Sequence, residues 1–199
     1  MKTKYSIIIA FFILATDISC KKNSTQTQSN PLQGNWGFIS EQAHTQNTTQ
    51  YTSGGGVVYK TITVSDYTTI NDSGVVNITA NMMNVYGLTY TISGNAVSSD
   101  YQDGQLINSS SAPFAQYVPP TNSSSSYVLV GNDSVSFPSG GFANPSGQST
   151  GANGARINIS GDTLLTMVSY FNKDSTIFLY GMSATTNYQA TLTTKLRRQ

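Results

Sequence analysis

The sequence predicts an all-β protein, an antiparallel meander of about eight to ten strands. Val, Ile, Thr, Tyr and Phe are abundant and glutamate occurs once, at Glu41, so the composition disfavours helices and suits strands. Apolar and polar residues alternate along short segments, as they do in a sheet with one face in water. Clusters of Gly, Asn, Asp and Ser separate these segments. Such a meander closes into a barrel or packs as a sandwich.

The first half of the chain is expected to hold five strands, which cover residues 32–40, 57–65, 75–82, 85–92 and 96–101. In the third strand, alternation places Val76, Ile78, Ala80 and Met82 on one face. In the fourth, it places Tyr86, Leu88, Tyr90 and Ile92 together. Turn residues at 71–74 and 93–95 are expected to separate strands.

The middle of the chain, residues 103–154, is rich in Pro, Ser, Gly and Asn and shows little periodicity. Two short strands are expected within it, over 127–131 and 134–137, with a turn at Gly131–Asp133 between them. A structureless loop of this length is unusual in a compact domain, so we expect part of it to pack over a barrel mouth or a sheet edge.

The last third is regular again, with strands expected over 155–159, 163–171 and 175–180 and a final strand that places Tyr188, Ala190, Leu192 and Leu196 on one face. Turns are expected at Ser160–Asp162 and Asn172–Asp174, and a linker at Gly181. No repeat of fixed period is visible, which argues against a solenoid or a propeller.

The first nineteen residues read as an export signal, with Lys2 and Lys4 ahead of a short apolar run over 7–15. The run is too short to span a bilayer of roughly 30 Å as a helix. Ser19 before Cys20, the only cysteine, resembles a bacterial lipoprotein signal, in which the cysteine becomes the lipidated first residue. An ordinary secretory signal is the alternative. One thiol forms no internal disulfide, and acylation with chains such as palmitate gives it a use.

The composition of this signal also resembles that of lipoproteins from the Bacteroidetes group. In that group an acidic run after the cysteine directs surface display, whereas Lys21 and Lys22 follow it here. The resemblance therefore implies an outer-membrane lipoprotein of the cell envelope that faces the periplasm. Residues 20–31 are polar and aperiodic and are expected to form a flexible tether to a domain over 32–199.

Charge is sparse and balanced. The chain carries ten basic and nine acidic side chains, and removal of residues 1–19 leaves eight of each. A neutral chain without a clustered basic patch gives no electrostatic basis for binding nucleic acid. It also has little attraction to anionic lipid beyond an anchor.

The start of the domain, Gly34-Asn35-Trp36, resembles the first strand of lipocalins and of lipocalin-like lipoproteins of Bacteroidetes. The resemblance implies an eight-stranded calycin barrel whose tryptophan closes one end, with a basic side chain from the last strand across its ring. Alternation places Arg198 on the face of Leu192 and Leu196, so Arg198 is the expected partner of Trp36 and Arg197 the second choice. The alternative is that Trp36 is a large core residue of another all-β domain.

No catalytic motif stands out. His44 is the only histidine and lies in a polar stretch without framed partners, so neither a zinc site nor a catalytic triad is expected. Asp72, Asp133, Asp162 and Asp174 fall in turn signals, where aspartate caps the backbone. We therefore expect a protein that is not an enzyme and has no cofactor or metal.

Five tyrosines on the expected strands are the remaining candidates for a ligand cavity: Tyr86, Tyr90, Tyr170, Tyr180 and Tyr188. Aromatic rings with a polar tip suit an amphipathic or glycan-derived ligand, and they equally suit the filling of a barrel interior.

Three functional hypotheses follow. The first is a membrane-anchored, non-enzymatic lipocalin-like lipoprotein that binds a small apolar or glycan-derived ligand. The second is a structural or interaction subunit of an envelope assembly, with residues 103–154 as its contact surface and an unknown protein partner. The third is a hydrolase, which the missing motifs disfavour.

Overall fold

The computed structural model describes residues 30–138, 153–161, 163–179 and 181–199. All regular structure in these ranges is strand, and each strand pairs with its neighbours in antiparallel fashion, which confirms the predicted all-β meander. The nine strands are β1 (Gly34–Thr52), β2 (Val58–Ile78), β3 (Met82–Gln102), β4 (Gln105–Ser126), β5 (Val128–Val130), β6 (Ser134–Ser136), β7 (Gly154–Ser160), β8 (Leu164–Leu179) and β9 (Met182–Arg198).

The strands form one sheet in the order β4-β3-β2-β1-β9-β8-β7-β6-β5. No hydrogen-bonded pairing between β4 and β5 closes this ladder within the described residues. The two outer strands are nevertheless consecutive in the chain and are separated by Tyr127 alone. The sheet therefore curls until its two edges meet at one residue. With β4 and β5 counted as parts of one bent segment, eight strands surround this end of the molecule.

The main core fills this curled end, which we call the barrel end. Its largest fully buried side chains come from strands all around it and include Trp36, Tyr90, Tyr127, Phe137 and Met83. Leu32, in the turn before β1, is also fully buried and accepts a hydrogen bond at its carbonyl oxygen from the Trp36 indole N–H (2.7 Å). Burial of apolar area at about 25 cal/mol per Å² makes this cluster the main source of stability.

Six strands continue beyond the core as a single layer, which we call the projecting sheet. It comprises the far halves of β4, β3, β2, β1, β9 and β8, since β5, β6 and β7 pair only near the barrel end. A small second cluster of Ala43, Ala190 and Leu192 lies where the two parts join. Farther out the side chains on both faces are exposed or half-buried, except that of Ala184, which is fully buried. The outer edges of β4 over 105–117 and of β8 over 170–179 have no neighbouring strand among the described residues.

A bulge in β3 overturns the predicted face of Tyr86. The pairing of β3 with β4 shifts between Val85 and Leu88, and Gly87 has a positive φ of 59°. The extra residue puts Val85 and Leu88 on the core face and leaves Tyr86 54% exposed. The expected alignment of Tyr86 with Leu88 and Tyr90 is therefore wrong.

The turn between β2 and β3 lies at residues 79–81, inside the strand predicted over 75–82. Val76 and Ile78 are buried as expected, but Ala80 is exposed in the turn and Met83 is buried in place of Met82. The Thr79 hydroxyl accepts a hydrogen bond from the Met82 N–H (3.2 Å) and the Thr79 N–H donates to the Met82 carbonyl (2.9 Å), which fixes this hairpin.

Three predicted turns lie inside long strands. Residues 71–74 form a bulged part of β2, with positive φ at Asn71 (58°) and Gly74 (128°). Gly94 lies in the middle of β3, where a Cβ would overlap the Asp66 carbonyl oxygen and approach the Tyr67 Cβ to 2.7 Å. Residues 172–174 are ordinary strand in β8. The glycine of 93–95 therefore serves close strand packing and not a turn.

The irregular middle contains the longest strand, β4, with 22 residues. Pro119 and Pro120 lie in a bulge opposite Thr89, between the pairs Leu88–Thr121 and Tyr90–Val118. Proline is tolerated there because the bulge leaves its nitrogen outside the ladder. We expected part of this region to pack over a mouth or an edge, but its described residues instead extend the sheet, with β4 as an outer strand and Val118 and Tyr127 buried in the core. Residues 139–152 lie outside the described residues.

In the described ranges, no helix has the length and apolar character needed to cross a membrane. The expected signal over residues 1–19, Cys20 and most of the expected tether lie outside the described residues, as do Asp162 and Tyr180.

Candidate functional site

The chain enters the barrel end beside its own C-terminal strand. Trp36 of β1 pairs with Arg198 of β9, and the Arg198 Cζ lies 4.4 Å from the centroid of the Trp36 ring. The two terminal guanidinium nitrogens donate to the carbonyl oxygens of Gln33 (3.0 Å) and Pro31 (2.7 Å). Arg198, which strand alternation predicts as the partner of Trp36, is therefore the residue that covers the tryptophan ring.

Tyr127 fixes the opposite side of the same entry segment. Its hydroxyl donates to the Thr79 carbonyl oxygen (2.7 Å) and accepts from the Asn30 amide (2.6 Å). The Asn30 side-chain oxygen in turn accepts from the Leu32 N–H (3.0 Å). Residues 30–33 therefore form a fixed cover over this end of the barrel, and the side chains there complete the core without enclosing a site.

The tyrosines expected to line a cavity are dispersed. Tyr90 is fully buried in the core, whereas Tyr86 and Tyr170 are 54% and 62% exposed. Tyr188 lies on the core-side face of the projecting sheet, with its ring centroid 5.4 Å from that of Phe171. The four described tyrosines are not brought together, and the cavity hypothesis for this set is not supported.

Glu41 is a buried carboxyl at the junction of barrel end and projecting sheet. Its carboxyl oxygens accept hydrogen bonds from the Tyr67 hydroxyl and the Thr194 hydroxyl, both at 3.3 Å. Burial raises the pKa of Glu41 to about 7, the two hydrogen bonds oppose this, and the charge of Asp72 adds to it. The sequence identified Glu41 as the sole glutamate and as one of a few candidate carboxylates, but did not predict its burial, because this burial depends on a strand register that local pattern does not reveal.

Asp72 faces the same region from the bulge in β2. Its Oδ1 is buried without a hydrogen-bond partner among the described residues, and burial raises the pKa of this carboxyl. The pKa values of Tyr67 and Tyr90 are also raised, mainly by burial and then by the charge of Glu41. Glu41, Asp72, Tyr67 and Tyr90 are all polar. Within the described ranges, however, no three His, Cys, Asp or Glu side chains come together as a metal site.

His44 has a partner that the sequence did not show. Its Nδ1 lies 2.7 Å from the Asp66 Oδ1 across the β1–β2 pairing, and the two side chains are 58% and 72% exposed. Both project from the face opposite to the core. No hydroxyl within the described residues bonds the other ring nitrogen, so the pair lacks the nucleophile that a triad requires.

The other described carboxylates serve the fold. Asp103 accepts from the Val58 N–H (2.9 Å) at the β3–β4 turn. Asp100 accepts from the Thr61 hydroxyl (2.8 Å) and the Asn108 amide (3.3 Å) across neighbouring strands. Because these groups stabilise turns and cross-strand contacts, their arrangement does not match a pair of opposed catalytic acids.

The face opposite to the core, from which His44 and Asp66 project, carries a shallow polar groove. This groove runs along β1 from Gln42 to Gln50 and across β9 to β8. It consists of three successive depressions of about 480, 240 and 390 Å³. The first two share His44 and Thr191, and the third follows on the next cross-strand row, at Thr48. Gln, Asn, Thr and Tyr side chains dominate the lining. Sequence reasoning missed this surface because such residues give no apolar alternation to detect.

No family model, no curated protein and no solved structure matches this chain. The fold and its surfaces define an all-β protein with a filled barrel end and an exposed projecting sheet.

Proposed function

We propose that this chain is a non-enzymatic, lipid-anchored lipoprotein of the cell envelope, with a lipocalin-like barrel, and that it binds its partner on the projecting sheet. The observation that carries the proposal is the filled barrel end. The side chains of Trp36, Tyr90, Tyr127 and Phe137 are almost completely buried in one continuous core. A small apolar ligand inside would have to displace them, at a cost of several kcal/mol for each large side chain moved.

The point at which the chain enters the domain supports an anchoring role for the barrel end and a binding role for the projecting sheet. Asn30 and Pro31 lie at the barrel end, held by Tyr127 and Arg198. From Trp36 to Thr52, β1 runs away from that point, which at 3.3 Å per residue is roughly 53 Å. A tether attached through Cys20 would therefore hold the barrel end toward the membrane and direct the projecting sheet outward.

Between the first two hypotheses, the geometry favours the interaction protein over the barrel that holds a small ligand. Of the contact surface expected over 103–154, residues 105–117 of β4 form an exposed edge of the projecting sheet, which supports a binding role for this sheet as a whole.

Native mass spectrometry of the mature protein, purified from its own host without detergent exchange, tests the proposal. We expect the mass of the acylated chain with no further non-covalent adduct. A stoichiometric apolar molecule that survives gentle desolvation and leaves on unfolding would contradict an empty barrel.

The anchor is tested separately with Cys20→Ser. We expect the parent chain to incorporate labelled palmitate and to fractionate with outer membranes, and the variant to do neither. Protease added to intact cells should leave the parent chain intact if it faces the periplasm. Cleavage in intact cells would place it on the surface instead.

A further inference from the structure

We propose that the polar groove binds a neutral polysaccharide chain. This inference rests on the proposed function, since it names the class of partner that the projecting sheet takes. The groove lies on the face opposite to the core, in the half of the molecule farthest from the chain entry. The nine residues of β1 from Gln42 to Gln50 give it a length of roughly 26 Å, at about 3.3 Å for each step along the strand.

Cross-strand pairing arranges the groove in rows that an extended ligand meets in turn. Gln46 pairs with Gln189, which pairs with Asn172. The next row holds Thr48 of β1 and its partner Asn187 on β9. Paired residues of antiparallel strands lie on one face with their Cβ atoms about 5 Å apart. The rows therefore present side-chain amides and hydroxyls at regular intervals along one line.

Several of these amides are free to bind a ligand. No side-chain hydrogen bond is found within the described residues for Gln42, Gln46, Gln50 or Gln189. Each carboxamide offers two donors and one acceptor, which is the complement of a sugar hydroxyl that both donates and accepts. By contrast, Asn187 is already engaged with Asn172 (2.8 Å) and Asp174 (2.7 Å), so it is fixed as part of the floor.

Tyr170 supplies an aromatic surface at the middle of the groove. It pairs with Thr191, whose other neighbour is His44, and it is 62% exposed although it belongs to a strand. The face of an aromatic ring is electron-rich and attracts the weakly positive C–H groups on a sugar face. An exposed ring among free carboxamides is the combination that a neutral pyranose recognises.

Charge points to a neutral ligand. No lysine or arginine lines the three depressions, and the side chains of His44 and Asp66 in the first depression contact each other. Asp174 is the remaining carboxylate and accepts from Asn187. An anionic polymer would meet the Asp174 carboxylate within the lining, and Lys60, which pairs with Gln50 at the end of the groove, is placed over the Tyr101 ring. A second protein surface would bury the free carboxamides, which costs about 1–3 kcal/mol for each group left unpaired.

Retention in native gels that contain a soluble polysaccharide, followed by calorimetric titration, tests the inference. The probes are dextran, mannan, arabinoxylan and galactan, with polygalacturonate and heparin as anionic contrasts. The groove variants are Tyr170→Ala and the double variant Gln46→Ala/Gln189→Ala. The matched controls are Tyr86→Ala, an exposed tyrosine of the barrel end, and Gln33→Ala, an exposed glutamine of the turn before β1.

We expect at least one neutral polymer to retain the parent chain and both controls, and each groove variant to bind about tenfold or more weakly, since 1.4 kcal/mol corresponds to tenfold in affinity. Retention only by the anionic polymers, failure of every neutral polymer, or equal binding by groove variants and controls would overturn the glycan assignment. These results leave the proposed function intact, because that proposal is tested by native mass spectrometry of the barrel and by the Cys20→Ser anchor experiment, neither of which depends on glycan binding.

Discussion

Arg198 covers the indole ring of Trp36, with the guanidinium carbon 4.4 Å from the ring centroid. The contact joins the first and last strands and, through hydrogen bonds to Pro31 and Gln33, holds the segment that leads into the barrel. A single side chain thus combines a cation–π contact with two charge-assisted hydrogen bonds to backbone carbonyls.

Replacement of this arginine is expected to destabilise the fold. Arg198→Ala removes the cation–π contact and leaves two carbonyl oxygens without their donors, a loss of about 1–3 kcal/mol in the free energy of unfolding. Urea unfolding at neutral pH measures it. The control is Arg197→Ala, because Arg197 is exposed, and it should change stability by less than about 0.5 kcal/mol. Equal effects of the two variants would show that the Trp36 contact contributes nothing.

Glu41 gives the protein a pH-dependent stability. Its pKa is about 7 in the folded state against 4.5 for the ordinary side chain, so the folded protein holds this proton more tightly than the unfolded chain. The resulting stability is fully present below about pH 4.5 and is lost as the pH rises through 7.

The matched variant for this titration is Glu41→Gln, which keeps the shape and cannot ionise. We expect it to equal the parent chain near pH 4.5 and to be more stable at pH 8, by up to about 3 kcal/mol. Thermal unfolding of both proteins across this range measures the difference. A constant difference at all pH values would mean that Glu41 does not titrate in this window.

Gly94 is required by the close approach of β2 and β3. A methyl group there would overlap the Asp66 carbonyl oxygen and lie 2.7 Å from the Tyr67 Cβ, so the strands must separate. Gly94→Ala should therefore lower the free energy of unfolding by about 1–3 kcal/mol. Gly55→Ala is the control, since the nearest atom to a Cβ there is the Ser53 hydroxyl at 3.9 Å. A stable Gly94→Ala protein would contradict the continuous β3 strand.

The His44–Asp66 pair is expected to matter little for stability, because both side chains are largely exposed. A double-mutant cycle with His44→Ala and Asp66→Ala should give a coupling of about 0–1 kcal/mol at low salt, and less at high salt. A larger coupling that persists in salt would indicate that the pair is shielded from solvent by something that covers the groove.

The features that the sequence predicted best are the strand faces at the barrel end, because they follow from the alternation of apolar and polar residues. The pairing of Trp36 with Arg198 follows from period-2 spacing near the two ends of the domain, where the sheet has a buried and an exposed face. The bulge at Gly87 was not predictable, because one extra residue reverses the faces of Val85, Tyr86 and Leu88 without a composition signal of its own.

The projecting sheet escaped prediction for a different physical reason. Both of its faces meet water, so residues such as Ser109, Ser110 and Ser111 of β4 show no alternation and read as loop. For the same reason Gly94 and Asn172–Asp174 resemble turns. Their strand conformation is imposed by pairing with residues far along the chain, such as Tyr67 and Asn187.

Hydrogen exchange of the unliganded protein in dilute solution tests the central division into a filled barrel end and an exposed projecting sheet. We expect the amides of Trp36–Phe38 and of β9 near Leu196 to exchange slowest, because they pair inside the core. Peptides that cover 105–117 should exchange far faster, since β4 is an outer strand there. Equal protection of 105–117 and of the barrel end would contradict the account.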